Sequence, residues 1–250
     1  MSGISQTVSR WTAKWAFRIF KVQRYVKSAY GLSMLYHKDR TFTLAVKGKY
    51  GDDLINELQD LTRDDLFIDI GANIGLFSLW VSKYKGSKVI AFEPNRSIFQ
   101  LFVANLRKNA CESVTPINAA ISNVDGEVTF NVVKGHSGKS HISVEETGVK
   151  VLSFSKHLLG WIGKLKYQKG TIKIDVEGAE LLVLKEISFL LESPLRIQKV
   201  IIEINEDHLQ RFGSEKQAIY FLMKELGFTP LRQQVSGHYD EIFTRKPVTH

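Results

Sequence analysis

The chain has 250 residues, of which 44% are hydrophobic and 11% are aromatic. This length and composition suit one sizeable α/β domain with a well-formed hydrophobic core. A single cysteine, Cys111, excludes an intramolecular disulfide and gives no sign of an oxidising compartment. The sequence has no apolar run of about 18 residues or more, so it predicts no membrane-spanning helix. We therefore expect a cytoplasmic protein.

The formal charge of +8 first suggests a nucleic-acid partner, but the charge is unevenly distributed. Residues 1–38 contain seven Lys and Arg and no Asp or Glu, which leaves 27 basic and 26 acidic residues in 39–250. A nucleic-acid enzyme usually carries its basic patch beside the catalytic cleft. The nearly neutral body therefore predicts no nucleic-acid partner. It also divides the chain into an N-terminal segment, 1–38, and a main domain, 39–250.

Residues 8–27 of the N-terminal segment have the pattern of an amphipathic helix. Apolar residues recur at spacings of three and four, and cations lie beside that stripe. One interpretation is an interfacial helix on an anionic membrane surface, which would make the protein peripheral on the cytoplasmic face. The other is a helix that docks on the main domain or on a second copy, giving a homo-oligomer. The stripe consists of Val8, Trp11, Trp15, Ile19, Val22 and Val26.

From residue 40 onward, strand-like apolar runs alternate with helix-like segments. This alternation predicts a mostly parallel, doubly wound sheet with helices on both faces. The short link around residues 235–237 makes the last two strands an antiparallel hairpin. Such a seven-stranded sheet is the outline of the class I methyltransferase (Rossmann-like) fold. We predict core strands at 66–70, 89–92, 114–121, 171–174, 200–204, 228–233 and 241–245, a leading strand at 41–46 and an edge strand at 128–133. Helices are predicted at 52–61, 97–109 and 180–190. Two more helices are predicted, one that follows the strand at 66–70 and ends at 84, and one that follows the strand at 200–204 and ends at 226.

A glycine-rich turn follows the first core strand and opens a helix. Its sequence is Asp-Ile-Gly-Ala-Asn-Ile-Gly, from Asp69 to Gly75. Gly71 and Gly75 would let the backbone approach a nucleotide cofactor, and Asp69 would accept the ammonium of a methionine moiety. Glu93, at the end of the second strand, could accept hydrogen bonds from both ribose hydroxyls. The spacing differs from that of a pyrophosphate-binding dehydrogenase.

Three segments together resemble the FkbM family of S-adenosylmethionine-dependent methyltransferases. They are the turn at 69–75, Ala-Phe-Glu-Pro-Asn at 91–95, and Lys-Ile-Asp-Val-Glu-Gly-Ala-Glu at 173–180. The resemblance spans roughly residues 50–206 and implies methylation of hydroxyls on sugars, glycolipids or polyketides. It implies S-adenosylmethionine as the methyl donor, with Asn118 near the adenine. The residues that it implies bind the cofactor are Asp69, Gly71, Ala72, Asn73, Gly75 and Glu93.

The acceptor is expected beside the fourth core strand, at the edge where open α/β sheets bind ligands. Asp175 ends this strand, and Glu177 and Glu180 follow within one turn. These carboxylates could supply a general base, an anchor for sugar hydroxyls or a divalent-metal site, or could simply stabilise the next helix. We predict Asp175, Glu177 and His136 as the catalytic residues, with His141 as another candidate base, and assign no metal ligand.

The sequence as a whole predicts an O-methyltransferase that acts on a hydroxyl of a sugar, glycan or glycolipid precursor. An alternative is an O-methyltransferase of a polyketide or another small natural product. A second alternative is a membrane-docked module that binds the cofactor without turnover. Glu203 and Asn205, which end the fifth strand, would complete the acidic rim, and His208 is interpreted as helix surface.

The N-terminal stripe generates a prediction that separates its two interpretations. If the stripe lies on a bilayer, deleting residues 1–28 should release the protein from anionic liposomes while cofactor binding persists. Each cation near an anionic surface would add about 1 kcal/mol, so salt should weaken the association. Co-sedimentation at low and high salt measures this effect. Indifference of the intact chain to anionic lipid would exclude the membrane interpretation.

Overall fold

The computed structural model describes residues 24–143, 148–192, 197–232 and 237–245. A two-stranded hairpin, two larger sheets and a set of helices are found in these ranges. The strands are β1 (Tyr25–Lys27), β2 (Ser33–Leu35), β3 (Leu66–Ile70), β4 (Lys88–Phe92), β5 (Val114–Ile117), β6 (Ala120–Ile121), β7 (Gly126–Asn131), β8 (His141–Ile142), β9 (Val149–Phe154), β10 (Gly170–Ile174), β11 (Ile197–Asn205), β12 (Thr229–Pro230) and β13 (His238–Thr244). The helices are α1 (Arg40–Val46), α2 (Asp52–Glu57), α3 (Leu76–Lys85), α4 (Arg96–Asn109), α5 (Lys156–Leu159), α6 (Glu180–Leu191), α7 (Glu206–Arg211) and α8 (Lys216–Glu225).

The larger sheet has seven strands in the order β12-β13-β11-β10-β3-β4-β5. The four central pairings from β11 to β5 are parallel, whereas β13 runs antiparallel to both β11 and β12. The predicted class I methyltransferase fold, with its C-terminal antiparallel hairpin, is therefore confirmed. The chain builds β3, β4 and β5 toward one edge and then returns to place β10 on the other side of β3. Ligands of open α/β sheets bind at such a switch point.

Apolar cores cover both faces of this sheet. Helices α3 and α4 pack on one face together with α1 and α2, and helices α6 and α8 pack on the other. The strands β3 and β10 are buried at every position, which is why they appear in the sequence as short apolar runs. Two charged residues interrupt these runs, and they are cross-strand neighbours in the register: Asp69 and Lys173.

A smaller four-stranded sheet, in the order β6-β9-β7-β8, lies between β5 and β10 in the chain. The predicted strand at 114–121 is divided into β5 and β6, which belong to different sheets. The edge strand predicted at 128–133 corresponds to β7, which begins two residues earlier. The strand β9, which pairs with both β6 and β7, was not predicted.

The strand predicted at 41–46 is wrong, because these residues form helix α1. Their β-branched and aromatic content favours a strand, but Asp39 acts as the N-cap and its Oδ1 accepts from the Phe42 N–H at 3.2 Å. Phe42 and Ala45, three positions apart, are the buried residues of the helix. Tertiary packing thus overrides local propensity here.

The helix predicted over 8–27 is also wrong at its C-terminal end, where Tyr25–Lys27 form β1 and pair with β2. Residues 8–23 lie outside the described ranges. The hairpin packs against α4, whose Asn109 and Asn105 side chains accept from the Ser33 N–H at 2.9 Å and the Leu35 N–H at 2.7 Å. From residue 24 onward, the N-terminal segment therefore packs with the main domain despite the change in charge at residue 38. The liposome deletion should accordingly end before Arg24.

No helix within the described residues is long and apolar enough to cross a bilayer.

Asp39 also ties α1 to the loop that follows β7. Its Oδ2 accepts from the Ser137 N–H at 2.8 Å, and its Oδ1 accepts from the Ser137 hydroxyl at 3.1 Å. Nearby, the Arg40 N–H donates to the Gly135 carbonyl and the Gly138 N–H donates to the Thr41 hydroxyl, both at 3.0 Å. The loop is therefore held to α1 by hydrogen bonds of both side chains and backbone.

We predict that Asp39→Ala lowers the free energy of unfolding by about 2–4 kcal/mol. Loss of the N-cap costs about 0.5–2 kcal/mol, and the buried Ser137 N–H left without a partner costs about 1–3 kcal/mol. Urea denaturation measures the change. The matched control, Asp64→Ala, removes an exposed carboxylate and should change stability by less than about 0.5 kcal/mol. Equal stability of the two variants would contradict the role given to Asp39.

Candidate active site

A cavity of about 390 Å³ opens at the carboxyl ends of β3, β4, β10 and β11. Helix α1 and the loop 136–140 form part of its wall. The cavity has two chemically different ends. One is formed by the glycine-rich turn after β3 and by Glu93, and the other by acidic and histidine side chains after β10 and β11. It therefore lies at the switch point of the sheet, as the fold class leads one to expect.

The glycine-rich turn is tightly packed against the protein itself. The N–H groups of Gly71 and Ala72 both donate to the Phe92 carbonyl, at 3.0 and 2.9 Å. Gly71 has φ of +85°, and a Cβ there would lie 1.8 Å from the Asp175 carbonyl oxygen. A Cβ on Gly75 would lie 2.1 Å from the Phe102 ring. Both glycines are thus required by contacts within the domain, while their predicted close approach to a ligand stays a prediction.

Glu93 is the carboxylate that faces the cofactor end of the cavity. Its Oε2 accepts from the Asn73 N–H at 2.9 Å, and its Oε1 accepts from the Asn95 N–H at 2.8 Å. Because an ionised carboxylate has about four acceptor positions, each oxygen can still accept a hydroxyl. Burial raises the pKa of Glu93 to about 7, although the two backbone N–H groups oppose this shift. The position and chemistry of Glu93 fit a ribose diol.

Three predicted cofactor residues do not line the cavity. Asp69 is fully buried beneath it, where its Oδ2 accepts from the Ser78 hydroxyl at 2.6 Å. Gly75 is the last residue of the turn and the N-cap of α3. The Asn118 side chain donates to the Glu93 and Pro94 carbonyls at 2.8 and 3.0 Å and thereby fixes the Glu93 backbone. The cofactor contact predicted for these three stays a prediction, whereas the predicted Gly71, Ala72, Asn73 and Glu93 all line the cavity.

A buried lysine joins the turn to the acceptor end. Lys173 Nζ lies 3.1 Å from Asp175 Oδ2 and 3.6 Å from Asp69 Oδ1, and 5.3 Å from the centre of the Phe77 ring. Burial by itself would lower the pKa of Lys173, but the two carboxylates outweigh burial and raise it. Lys173 is therefore charged and holds the Asp175 carboxylate in place. Asp175 Oδ2 also accepts from the Tyr50 hydroxyl at 3.0 Å.

Four side chains from four segments, the β10–α6 turn, α7, β11 and β13, meet beyond Asp175. Glu177 Oε2 lies 2.8 Å from His208 Nδ1, and Glu203 Oε1 lies 2.7 Å from His238 Nε2. Glu177 has φ of +60°, a left-handed conformation that costs a non-glycine residue about 1–3 kcal/mol. Burial, followed by the neighbouring Glu203 charge, raises the pKa of Glu177 to about 10. Burial and the Asp175 charge likewise raise the pKa of Glu203 to about 8.

The predicted general-base candidates occupy different positions. His136 lines the cavity, and its buried Nδ1 has no hydrogen-bond partner within the described part of the chain. His141 does not line the cavity and instead contacts Arg211 at 3.2 Å. Glu180 accepts from the Val176 and Gly178 N–H groups, so it stabilises the turn before α6. The structure therefore brings Asp175, Glu177 and His136 to one cavity and separates His141 and Glu180 from it.

Sequence analysis missed several residues that line the cavity. His208 was interpreted as helix surface, but it faces Glu177. Its position in the first turn of α7, three residues after the cavity-lining Asn205, was the available signal. Tyr50 and Lys173 gave no signal, because their roles depend on contacts with residues distant in sequence or on a neighbouring strand.

Comparison with known proteins identifies the family of the chain. The model of the methyltransferase FkbM domain matches residues 69–230, and the chain belongs to this family. Membership confirms the predicted family and, with it, S-adenosylmethionine as the methyl donor.

Two relatives and one solved structure illustrate the similarity. The chain is 30% identical over 148 residues to the hexuronic acid methyltransferase AglP of Haloferax volcanii, a match that covers 59% of each protein. It is 27% identical over 218 residues to methyltransferase sdnD of Sordaria araneosa, covering 74% of this chain and 82% of that protein. TYW2 of M. jannaschii, solved in complex with AdoMet, aligns at 14% identity with a TM-score of 0.46, covering 91% and 88% of the two chains. The chain thus spans less than two thirds of the length of AglP.

The raised pKa of Glu93 predicts pH-dependent cofactor binding. Ribose hydroxyls favour the ionised carboxylate, which is lost as the pH falls through about 7. Affinity for S-adenosylhomocysteine should therefore drop about tenfold from pH 8 to pH 6. In Glu93→Gln, binding at pH 8 should be weaker by about 1.5–3 kcal/mol and this pH dependence should disappear. Calorimetry of the wild-type chain and of Glu93→Gln at pH 6 and pH 8 measures this affinity. The control is Glu112→Gln, which changes an exposed carboxylate. A pH dependence that persists in Glu93→Gln would contradict the assignment.

Proposed function

We propose that this chain is an S-adenosylmethionine-dependent O-methyltransferase that acts on a hydroxyl of a sugar, glycan or glycolipid precursor. The observation that carries this proposal is the two-ended cavity. Its cofactor end presents the Glu93 carboxylate, and its acceptor end presents Asp175, Glu177 and Glu203. A polyhydroxylated acceptor needs many hydrogen-bond acceptors, which carboxylates supply.

The bound cofactor would supply an electrophilic methyl group on a sulfonium. In the transfer, the acceptor oxygen forms a bond to the methyl carbon while the carbon–sulfur bond breaks and its electron pair remains on sulfur. The hydroxyl proton leaves to a base of the protein. An alcohol needs such a base because it is a poor nucleophile at neutral pH.

Two residues are suited to act as the general base that takes the hydroxyl proton. Both contacts to Asp175 are made to Oδ2, from Lys173 and Tyr50, so Oδ1 is the oxygen available to an acceptor. His136 offers Nδ1, a buried ring nitrogen with no protein partner among the described residues. We assign Asp175 as the base and His136 as the residue that orients the acceptor. Lys173 acts on Asp175 as a positioning residue.

The relative named a hexuronic acid methyltransferase supports a sugar as the acceptor class. The wall of the cavity also has two exposed cationic side chains, Arg40 and Lys139. These side chains suit an acceptor that carries a carboxylate or a phosphate. A cytoplasmic location, and the contact of residues 1–23 with an anionic membrane or with a second copy, remain parts of the proposal.

A screen of acceptors tests the proposed function. The purified chain is incubated with labelled S-adenosylmethionine and with uronic acids, nucleotide sugars, glycolipids or small polyketide-type alcohols. A methyl ether on a sugar is expected. Transfer only to the polyketide-type alcohols would favour the small-molecule alternative, and a methyl ester on a carboxyl would contradict a hydroxyl acceptor.

We predict that Asp175→Asn reduces turnover by about 100-fold or more, because the amide keeps the shape but cannot take a proton. Affinity for S-adenosylhomocysteine should change by less than about threefold, since Glu93 is untouched and Lys173 retains Asp69 as a partner. Single-turnover kinetics and calorimetry measure the two quantities. The control is Asp207→Asn, which changes an exposed carboxylate in α7. Nearly normal turnover in Asp175→Asn would move the base to His136.

A further inference from the structure

Three side chains with metal-ligating atoms converge at the acceptor end of the cavity. One such atom from each of Glu177, Glu203 and His208 lies within 4.8 Å of the others. The three residues come from the β10–α6 turn, from β11 and from α7, so only the tertiary fold brings them together. All three line the cavity. An acidic cluster alone does not establish a site, but two further observations point to a ligand.

The first observation is the state of the Glu203 carboxylate. Glu203 is 7% exposed, and its Oε1 is bound by His238. Its Oε2 is buried and has no hydrogen-bond partner within the described residues. Since buried carboxylate oxygens are normally paired, an unpaired one at a cavity wall indicates a missing partner.

The second observation concerns His208 Nδ1 and Glu177 Oε2. They lie 2.8 Å apart, yet Nδ1 lacks a hydrogen bond of acceptable geometry in the described chain. Two ligands of one cation with bonds of about 2.1 Å lie about 3 Å apart when they subtend a right angle. The distance alone would allow a hydrogen bond, but the orientation of the two groups does not form one, and the same distance is close to that between two neighbouring ligands of one ion.

We propose that Glu177, Glu203 and His208 bind one divalent first-row transition-metal cation such as Mn²⁺ or Zn²⁺. Two carboxylates with one imidazole suit these ions, whereas Mg²⁺ and Ca²⁺ prefer oxygen ligands alone. Opposite ligands of such an ion are about 4.2 Å apart, so small side-chain rotations close the 4.8 Å cluster. His238 is an outer partner that orients Glu203, an arrangement typical of metal sites.

The cation would also serve the proposed methyl transfer, and this role rests on the proposed function. Three protein ligands leave coordination positions open toward the cavity. An acceptor hydroxyl bound at such a position loses its proton more readily. The cation would thus select acceptors with a hydroxyl near Asp175 and would neutralise the crowded carboxylates. Binding of the metal itself does not depend on this role.

Titration of the chelator-treated full-length chain with MnCl₂ tests the site. Calorimetry and the electron paramagnetic resonance of free Mn²⁺ should both give one bound ion per chain. Glu203→Gln and His208→Ala should each weaken binding by more than about 100-fold, since even an outer-shell partner is worth about 10- to 100-fold. The matched control is Glu206→Gln, which removes the same charge from a half-exposed residue of α7 paired with Lys216, and it should bind as the wild type does.

A second measurement covers the case in which the variants do not fold. Pulsed paramagnetic resonance of Mn²⁺ on the wild-type chain should show coupling to one imidazole nitrogen. Absence of Mn²⁺ and Zn²⁺ binding, absence of nitrogen coupling, or wild-type affinity in folded Glu203→Gln would overturn the site. Calorimetry with S-adenosylhomocysteine separates the two proposals: cofactor binding without metal binding overturns only the metal site, whereas loss of cofactor binding overturns the proposed function.

Discussion

The ion group formed by Asp69, Lys173 and Asp175 in the middle of the sheet is the interaction on which the site depends. Lys173 has a side chain that is 3% exposed, and it lies beside Asp69 in the pairing of β3 with β10. A charged lysine can be buried there because two carboxylates compensate it, and removing the lysine would leave two neighbouring carboxylates without a compensating cation. The same contact fixes the Asp175 carboxylate at the cavity wall.

This ion group explains why two turns distant in sequence act together. The glycine-rich turn follows β3, and the acidic turn follows β10, its neighbour in the sheet. The Asp175 carbonyl fills the place where a Cβ of Gly71 would lie, so the turns are packed in direct contact. A shift in either turn would move both ends of the cavity. The fold thereby fixes the distance between the methyl donor and the acceptor, on which an in-line transfer depends.

The walls of the cavity come partly from outside the family match at 69–230. Helix α1 contributes side chains to the wall, and Asp39 ties it to the loop that carries His136. Acceptor preference can therefore vary through α1 and this loop while the central strands stay unchanged. Function carried on connecting segments around a rigid sheet is a common arrangement in α/β enzymes.

The sequence by itself determined the central architecture. Strands buried on both faces are short apolar runs that end in glycine or acidic residues, so β3 and β10 were predicted almost to the residue. The Gly-Ala-Asn turn, Glu93 and Asp175 were found for the same reason, because they follow such strands directly. A residue that directly follows a parallel strand lies at the carboxyl edge of the sheet, so its place in the sequence also gives its place in the fold.

Only the tertiary structure decided the rest. Helix α1 replaced a predicted strand because a cap and buried contacts outweighed β propensity, and β1 replaced the end of a predicted helix because β2 and α4 bind it. His208, interpreted from sequence as helix surface, lies in the cavity wall because it contacts Glu177. Asp69, predicted from sequence to bind the cofactor, lies beneath the cavity, where it contacts Lys173. Each of these outcomes depends on which distant residue is the neighbour. Periodicity reports the environment of a segment, but it does not identify the partner that a polar side chain will meet.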